Sequence, residues 1–229
     1  DNGPAFSHRF DQVPAGVSLD GSRYNNGFAG SKGSVYEGGI RVPMIARWAN
    51  GLPQNIEIKD QICFTDWLPT LLSLTGSTHV GEKPIDGHNV GPVLKGDSPE
   101  EQPQRFWQWN GDIPIGVTNA AIRHGDWKLV RPAIDIGYAS DVDQQLADDY
   151  IEQDIEYKYH PENFSEKLNW PEPKKIVPEP PAPELYDLSV DPGESNNVAS
   201  ANRAIASRML VELETWFEEV ESERQAIVE

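Results

Sequence analysis

The sequence predicts a mixed α/β chain, with an α/β portion over residues 1–104 and a smaller subdomain over 105–229 that pairs an antiparallel sheet with a C-terminal helix. Three patterns predict it. A Gly-rich loop and an apolar run lead into a capped helical segment over 65–76. Short strand-like runs between 105 and 131 are joined by the turn His124-Gly-Asp126. A stripe of apolar residues at helical spacing then runs from about 199 to 220.

Length and composition set the outer limits. The chain has 229 residues, 38% of them hydrophobic, enough for one large domain or two modest ones with a real core. No apolar run has the length of a membrane span. A formal net charge of -18 argues against nucleic acid or anionic membranes as partners, since a polyanion releases no counterions from another polyanion. The one cysteine, Cys63, excludes an intrachain disulfide and leaves the redox compartment unread. Flanked by Ile62 and Phe64, with no base or cation nearby in sequence, it reads as a core thiol. Asp1-Asn-Gly3 is neither an initiator methionine nor a signal peptide, so any targeting segment is expected outside these residues.

From Asp1 to about Gly33 the Gly, Asn, Ser and Asp content predicts a long loop. Ile40 to Trp48 reads as a short, largely buried strand, and Gly51-Leu-Pro53 turns the chain out of it. A second apolar stretch covers Ile56 to Phe64. Over 65–76, Thr65 is the expected N-cap, Asp66 the first-turn acid and Gly76 the stop, with Leu68, Leu71 and Leu72 on one face. Pro69 falls in or near the first turn, where a missing N–H costs least.

The Pro- and Gly-rich stretch to Gln104 leads to a subdomain boundary. Strands are expected at 105–109, 119–123 and 127–131, an antiparallel meander. Residues at about 139–183 form an insert, acidic first and Pro-rich after, ending in polyproline-like geometry. Glu184 to Leu188 restores a strand, Asp191-Pro-Gly-Glu194 is a turn, and the helix carries Ile205, Met209, Leu213, Trp216, Phe217 and Val220 as its stripe.

Two clusters could carry chemistry. Asp1 and Asn2 are adjacent hard-oxygen donors suited to Ca²⁺ or Mg²⁺, although local chemistry alone favours a simple turn. In Gly30-Ser-Lys-Gly-Ser-Val-Tyr-Glu-Gly-Gly-Ile-Arg41, Lys32 sits among flexible residues and can meet an anion; the plain alternative is a solvated loop lysine.

Together the clusters carry more than either alone. Asp1-Asn-Gly3, the Gly-rich loop, the run Lys32-Gly-Ser-Val-Tyr-Glu-Gly-Gly-Ile-Arg-Val-Pro43 and the Asp66-Trp-Leu-Pro-Thr-Leu71 helix stand in the order and spacing that resemble arylsulfatases. The likeness continues through Asp86-Gly-His-Asn-Val90, Gly125-Asp-Trp-Lys-Leu-Val130 and Leu185 to Glu194, nearly the whole chain except the insert. It resembles the C-terminal half of a type I, formylglycine-dependent sulfatase, which implies the C-terminal part of an alkaline-phosphatase-like fold.

The resemblance implies hydrolysis of a sulfate ester of a carbohydrate or aryl alcohol. It assigns Asp1 and Asn2 as ligands of one Ca²⁺ and Lys32 as the catalytic lysine touching the sulfate. His8, in the loop after the metal pair, is a substrate-contact candidate beside a solvated reading, as is Arg23. Tyr36, Glu37, Gly38, Gly39 and Arg41 match as residues that position the loop against the sheet. The nucleophile, a formylglycine made in a Cys/Ser-x-Pro-x-Arg motif, and further metal ligands belong to the N-terminal half; this sequence contains no such motif. The N-terminal half is therefore the expected partner and the chain alone is expected to be inactive and, with Asp1 at its first position, to bind calcium weakly. Export to periplasm, lysosome or medium is implied, with the compartment open.

Other residues have bland readings. His79, His88, His124 and His160 lack metal-site spacing. Trp107 and Trp109 share a strand face, suited to core packing or to stacking on a sugar. Asn163-Phe-Ser165 fits a glycosylation sequon, relevant in a eukaryotic secretory context. The alternatives are a phosphatase or phosphonate hydrolase of the same superfamily, which would need Asp and His clusters for two metals, and a non-catalytic binding domain.

Overall fold

The structure, a computed structural model, describes residues 3, 25–81, 83–99, 102–110, 114–164 and 171–228. It divides into two compact units, one formed by Asp1–Pro132 with Ala182–Glu229 and the other by Ala133–Pro181.

The first unit is organised around a four-stranded sheet, β1 (Arg105–Gln108), β2 (Ala120–His124), β3 (Trp127–Arg131) and β6 (Glu184–Asp187), antiparallel throughout and in that spatial order. The strands form because each alternates between two buried faces. Ala120, Ile122, Leu129 and Leu185 point to one face and pack under the C-terminal helix α5 (Arg203–Val228) through Met209 and Leu213. Phe106 stacks on Trp216 there, centroids 5.0 Å apart. The opposite parity, Trp107, Ala121, Val130 and Tyr186, packs against Val35 and Tyr36 of the Gly-rich loop. The sheet thus has a helix on one side and the Lys32 segment on the other.

Gly125, at φ 59, makes the β2–β3 turn. In the turn after β6 the left-handed residue is Glu194, at φ 55, rather than the glycine before it. The terminal helix starts at Arg203, four residues later than its periodicity suggests, and runs to Val228.

Two expectations fail between 40 and 76. The strand over 40–48 is absent. Glu37–Ile40 instead closes the loop as a single helical turn, α1, and residues 41–48 run without regular structure. A largely buried strand needs a ladder partner and cover on both faces, and among the described residues nothing pairs with this run. Ile45 is 96% exposed, and Met44 and Trp48 also face solvent. Helix α2 (Trp67–Thr75) does form and does end at Gly76, whose φ of 67 lets its N–H close on Leu72 and Ser73. Its start is different: a 3-10 turn, Phe64–Asp66, precedes it, and Asp66 rather than Thr65 takes the N-cap position, its carboxylate accepting the Cys63 N–H instead of capping the helix. The face carrying Leu68 and Leu71 is exposed, while Asp66 and Thr70 are buried. Thr70 earns its burial by accepting the Val90 N–H at 2.9 Å, which seats the short helix α3 (Gly91–Leu94) beside α2.

The second unit holds α4 (Asp141–Tyr159) and a two-stranded ribbon, β4 (Gly137–Tyr138) with β5 (Lys175–Ile176). Ser140 caps α4 by accepting the Asp143 N–H at 3.2 Å, and Asp141 and Asp143 complement the helix dipole. The acidic first part of the insert is a nineteen-residue helix, which the sequence reading did not assign.

Candidate functional site

The candidate site is the loop from Asn25 to Ile40. Asn25 is buried and its amide donates to the Phe28 and Gly30 carbonyls, at 2.7 and 2.8 Å, folding the first half of the loop onto itself. Gly33 has φ 89, a conformation that an L side chain resists, and it turns the chain so that Lys32 stands exposed at the tip.

Asn119, at the mouth of β2, holds that tip. It is buried and left-handed at φ 46, a region Asn tolerates. Its side chain accepts the Val35 N–H at 3.2 Å and donates to the carbonyls of Gly33, at 2.8 Å, and Trp109, at 2.9 Å. Its carbonyl also accepts the Trp109 N–H at 3.1 Å. One residue thus fixes the chain just after Lys32 against the end of β1.

The base of the loop is held by charge. Strand parity puts Lys128 and Arg123 on the loop face, beneath α1. Lys128 is 0% exposed, with Nζ 2.9 Å from Glu37 Oε1 and 2.8 Å from Glu194 Oε1. Arg123 and Arg41 approach Glu37 Oε2 at 3.7 and 3.6 Å. Glu194 Oε2 also accepts the Glu37 N–H at 2.6 Å. Burial pushes the Glu194 carboxyl above its usual range, and Lys128 pulls against that shift. Beside the cluster, Tyr36 and Tyr186 both donate to Glu184 Oε2, at 2.5 and 2.8 Å. Burial, reinforced by that carboxylate, pushes both phenols far above their ordinary values, so they stay neutral donors.

Gly3 enters this base directly. Its N–H donates to the Gly39 carbonyl at 2.9 Å, and a Cβ on Gly3 would lie 1.8 Å from the Gly38 carbonyl oxygen, so only glycine fits. Asp1, Asn2, His8 and Arg23 lie outside the described residues; the residue following the Asp1-Asn2 pair nonetheless rests on the foot of the Lys32 loop. Among the described residues no group of three or more His, Cys, Asp or Glu side chains is placed to hold a metal.

A second buried charge pair stands apart from the loop. Asp66 Oδ2 accepts from Arg105, at 2.8 Å, and from the Cys63 N–H, at 2.8 Å, while Oδ1 accepts the His88 N–H at 2.9 Å. It clamps α2 to β1 and the segment at 88, a structural task. Cys63 is half-buried, and desolvation pushes its thiol up to about 11, the opposite of an activated nucleophile. His79 and His88 are exposed.

The Gly-rich loop around Lys32 is evident in the sequence, whereas its anchors Asn119, Lys128 and Glu194 are not. For Lys128 a signal existed: between Trp127 and Leu129 it takes the parity of Val130, which is buried on the loop side. For Asn119 the signal was weaker, an Asn at a strand entry.

No family model matches the chain. It is 35% identical over 92 residues to the steryl-sulfatase of Mus musculus, a match covering 40% of this chain and 14% of that protein. Over 190 residues it is 26% identical to an ulvan-active sulfatase of Formosa agariphila, covering 81% of this chain and 34% of that protein. The fold is similar to that of the solved structure described as Ps i-CgsB in complex with k-i-k-neocarrahexaose, with TM-score 0.52, 22% identity, and coverage of 82% of this chain and 31% of that one. The chain spans about a third or less of the proteins it matches.

Proposed function

This chain is a C-terminal region of the sulfatase family, and from that premise we infer that it supplies the lysine side of a site that hydrolyses sulfuric esters, within the C-terminal part of an alkaline-phosphatase-like α/β fold. The observation that carries the reading is the mounting of Lys32. Its side chain is exposed, whereas the backbone on either side is held, before it by the Asn25 amide at the Gly30 carbonyl and after it by Asn119 and the Glu37–Lys128–Glu194 cluster. A point charge on a rigid loop suits a sulfate oxygen, and it neutralises charge that grows on sulfate as the ester bond breaks.

Asp1 and Asn2 are the residues of this chain that would hold a calcium ion, and their donor set, a carboxylate and an amide oxygen, fits a hard cation. Two ligands of the six or more that calcium takes leave the rest to other residues. The Gly3 contact with Gly39 supports the pairing, since it ties the chain just after the two donors to the loop carrying Lys32. Calcium, when bound, would draw negative charge from the sulfate oxygens. The formylglycine nucleophile would come from the N-terminal half of the protein, as would the remaining ligands, so the chain alone is inactive. A sulfated sugar is the favoured substrate class, in line with the ulvan-active relative; His8 is kept as a substrate contact.

The test is Lys32→Ala in the full-length protein, assayed on an aryl sulfate. The expected result is a fall in kcat/KM of about a hundredfold or more, on the scale of removing one stabilising donor, with an unchanged thermal midpoint. Wild-type kcat/KM in the variant, or a full-length protein that cleaves phosphate esters and not sulfate esters, would overturn the reading.

A further inference from the structure

We propose that Trp109 is a sugar-stacking platform set beside Lys32, so that the site reads a sulfate and the ring bearing it as one unit. The proposal rests on the sulfate reading of Lys32 and extends it to the substrate's carbohydrate part.

Trp107 and Trp109 sit two apart at the end of β1 and share a parity, yet they end differently. Trp107 packs into the loop-side core, with Lys128 Nζ 5.9 Å from its ring centroid. Trp109 lies one step further out and is 53% exposed. Its six-membered ring stands 3.8 Å from where a Cβ on Gly33 would be, so the indole is a neighbour of the residue that follows Lys32. The absence of a side chain at Gly33 leaves that edge of the ring open.

The placement is fixed rather than incidental. Asn119 is the common anchor: its side chain bonds the Gly33 and Trp109 carbonyls, and its own carbonyl takes the Trp109 N–H. A half-exposed indole normally costs apolar hydration and gains only when a partner covers it. A hexose ring offers a face of C–H groups to an indole and hydroxyls to solvent, and a sulfate on its edge can reach a cation alongside. An aromatic with a neighbouring cation, locked in register by one amide, matches that chemistry.

The experiment measures affinity in the full-length protein, as Kd or as KM where sulfate is released, for inorganic sulfate and for the 2-, 3-, 4- and 6-monosulfates of galactose and glucosamine methyl glycosides. The variants are Trp109→Ala, Trp109→Phe and Lys32→Ala. Trp109→Ala is expected to weaken the best sugar sulfate about tenfold or more, equivalent to about 1.4 kcal/mol, and to leave inorganic sulfate unchanged; Trp109→Phe recovers most of the loss. Lys32→Ala weakens both ligands. The proposal is overturned if no sugar sulfate binds more tightly than inorganic sulfate, or if Trp109→Ala leaves sugar affinity intact. It is equally overturned if Trp109→Ala weakens both ligands alike with a lowered thermal midpoint, the mark of a packing residue. If Trp109→Ala is selective but Lys32→Ala changes nothing, the aromatic subsite stands and the sulfate reading of Lys32 falls.

Discussion

Lys128 Nζ lies 2.9 Å from Glu37 Oε1 with neither side chain open to solvent, so a central strand and the helical turn that ends the lysine loop share one buried ion pair. Ninety-one residues of sequence separate the partners. Their pairing, with Glu194 as third member, holds the loop base to the sheet.

Lys128→Met should therefore destabilise the fold strongly, because it keeps the volume but leaves two buried carboxylates without their cation. Breaking one partner of a buried pair costs about 3–5 kcal/mol, read here as a lower urea midpoint. Adding Glu194→Gln to Lys128→Met should recover part of the loss. A single variant with the wild-type midpoint would show that the cluster contributes no net stability.

Cys63 gives a prediction with a defined pH sense. Its thiol is pushed up to about 11 by burial, so the folded protein holds its proton where the unfolded chain, at about 9, releases it. Stability from this group is complete below pH 9 and is lost as pH rises from 9 through 11. The same shift lowers the thiolate fraction at pH 8 by about a hundredfold, so iodoacetamide should label native Cys63 that much more slowly than the urea-unfolded chain. Equal rates would mean an open thiol.

The second unit is inserted in sequence between two strands that pair with each other. β3 and β6 pair directly, Val130 opposite Glu184, and residues 133–181 run between them. Excising 133–181 and joining the ends by a short Gly/Ser linker should preserve the first unit, since a hairpin of adjacent antiparallel strands needs only a few residues. The expected readout is a single cooperative unfolding transition within a few degrees of the parent's; a protein that no longer folds would assign the second unit a structural task.

The sheet and the terminal helix were legible because each rests on a local period. Ala120 to Val130 alternates, and Met209 and Leu213 are one helical turn apart. The loop that exposes Lys32 was legible because glycines mark a loop. What stayed hidden depends on distant partners. Periodicity gives the parity of Lys128 but says nothing of Glu37 or Glu194 waiting on that face. The run from Val42 to Trp48 is apolar enough for a strand, yet apolar composition does not supply a neighbour to pair with. Helix α4 escaped for the opposite reason: a helix that buries little beyond Ala147 has no stripe to read and is held by its cap and by pairs such as Lys158 with Asp154.

The buried triad also sets an order in time. Glu37 is synthesised 157 residues before the carboxylate that accepts its N–H, and Glu194 sits close to the last helix. Until Glu194 has been made the lysine loop therefore has its glycines but not its clamp, and an acid destined for the interior must stay hydrated. The loop becomes rigid only when β6 and the turn behind it emerge and dock. A nascent chain stalled before residue 184 should thus carry a fully formed Lys32 sequence with no site, and protection of that loop from proteolysis on the ribosome should appear late and in one step with the closing strand.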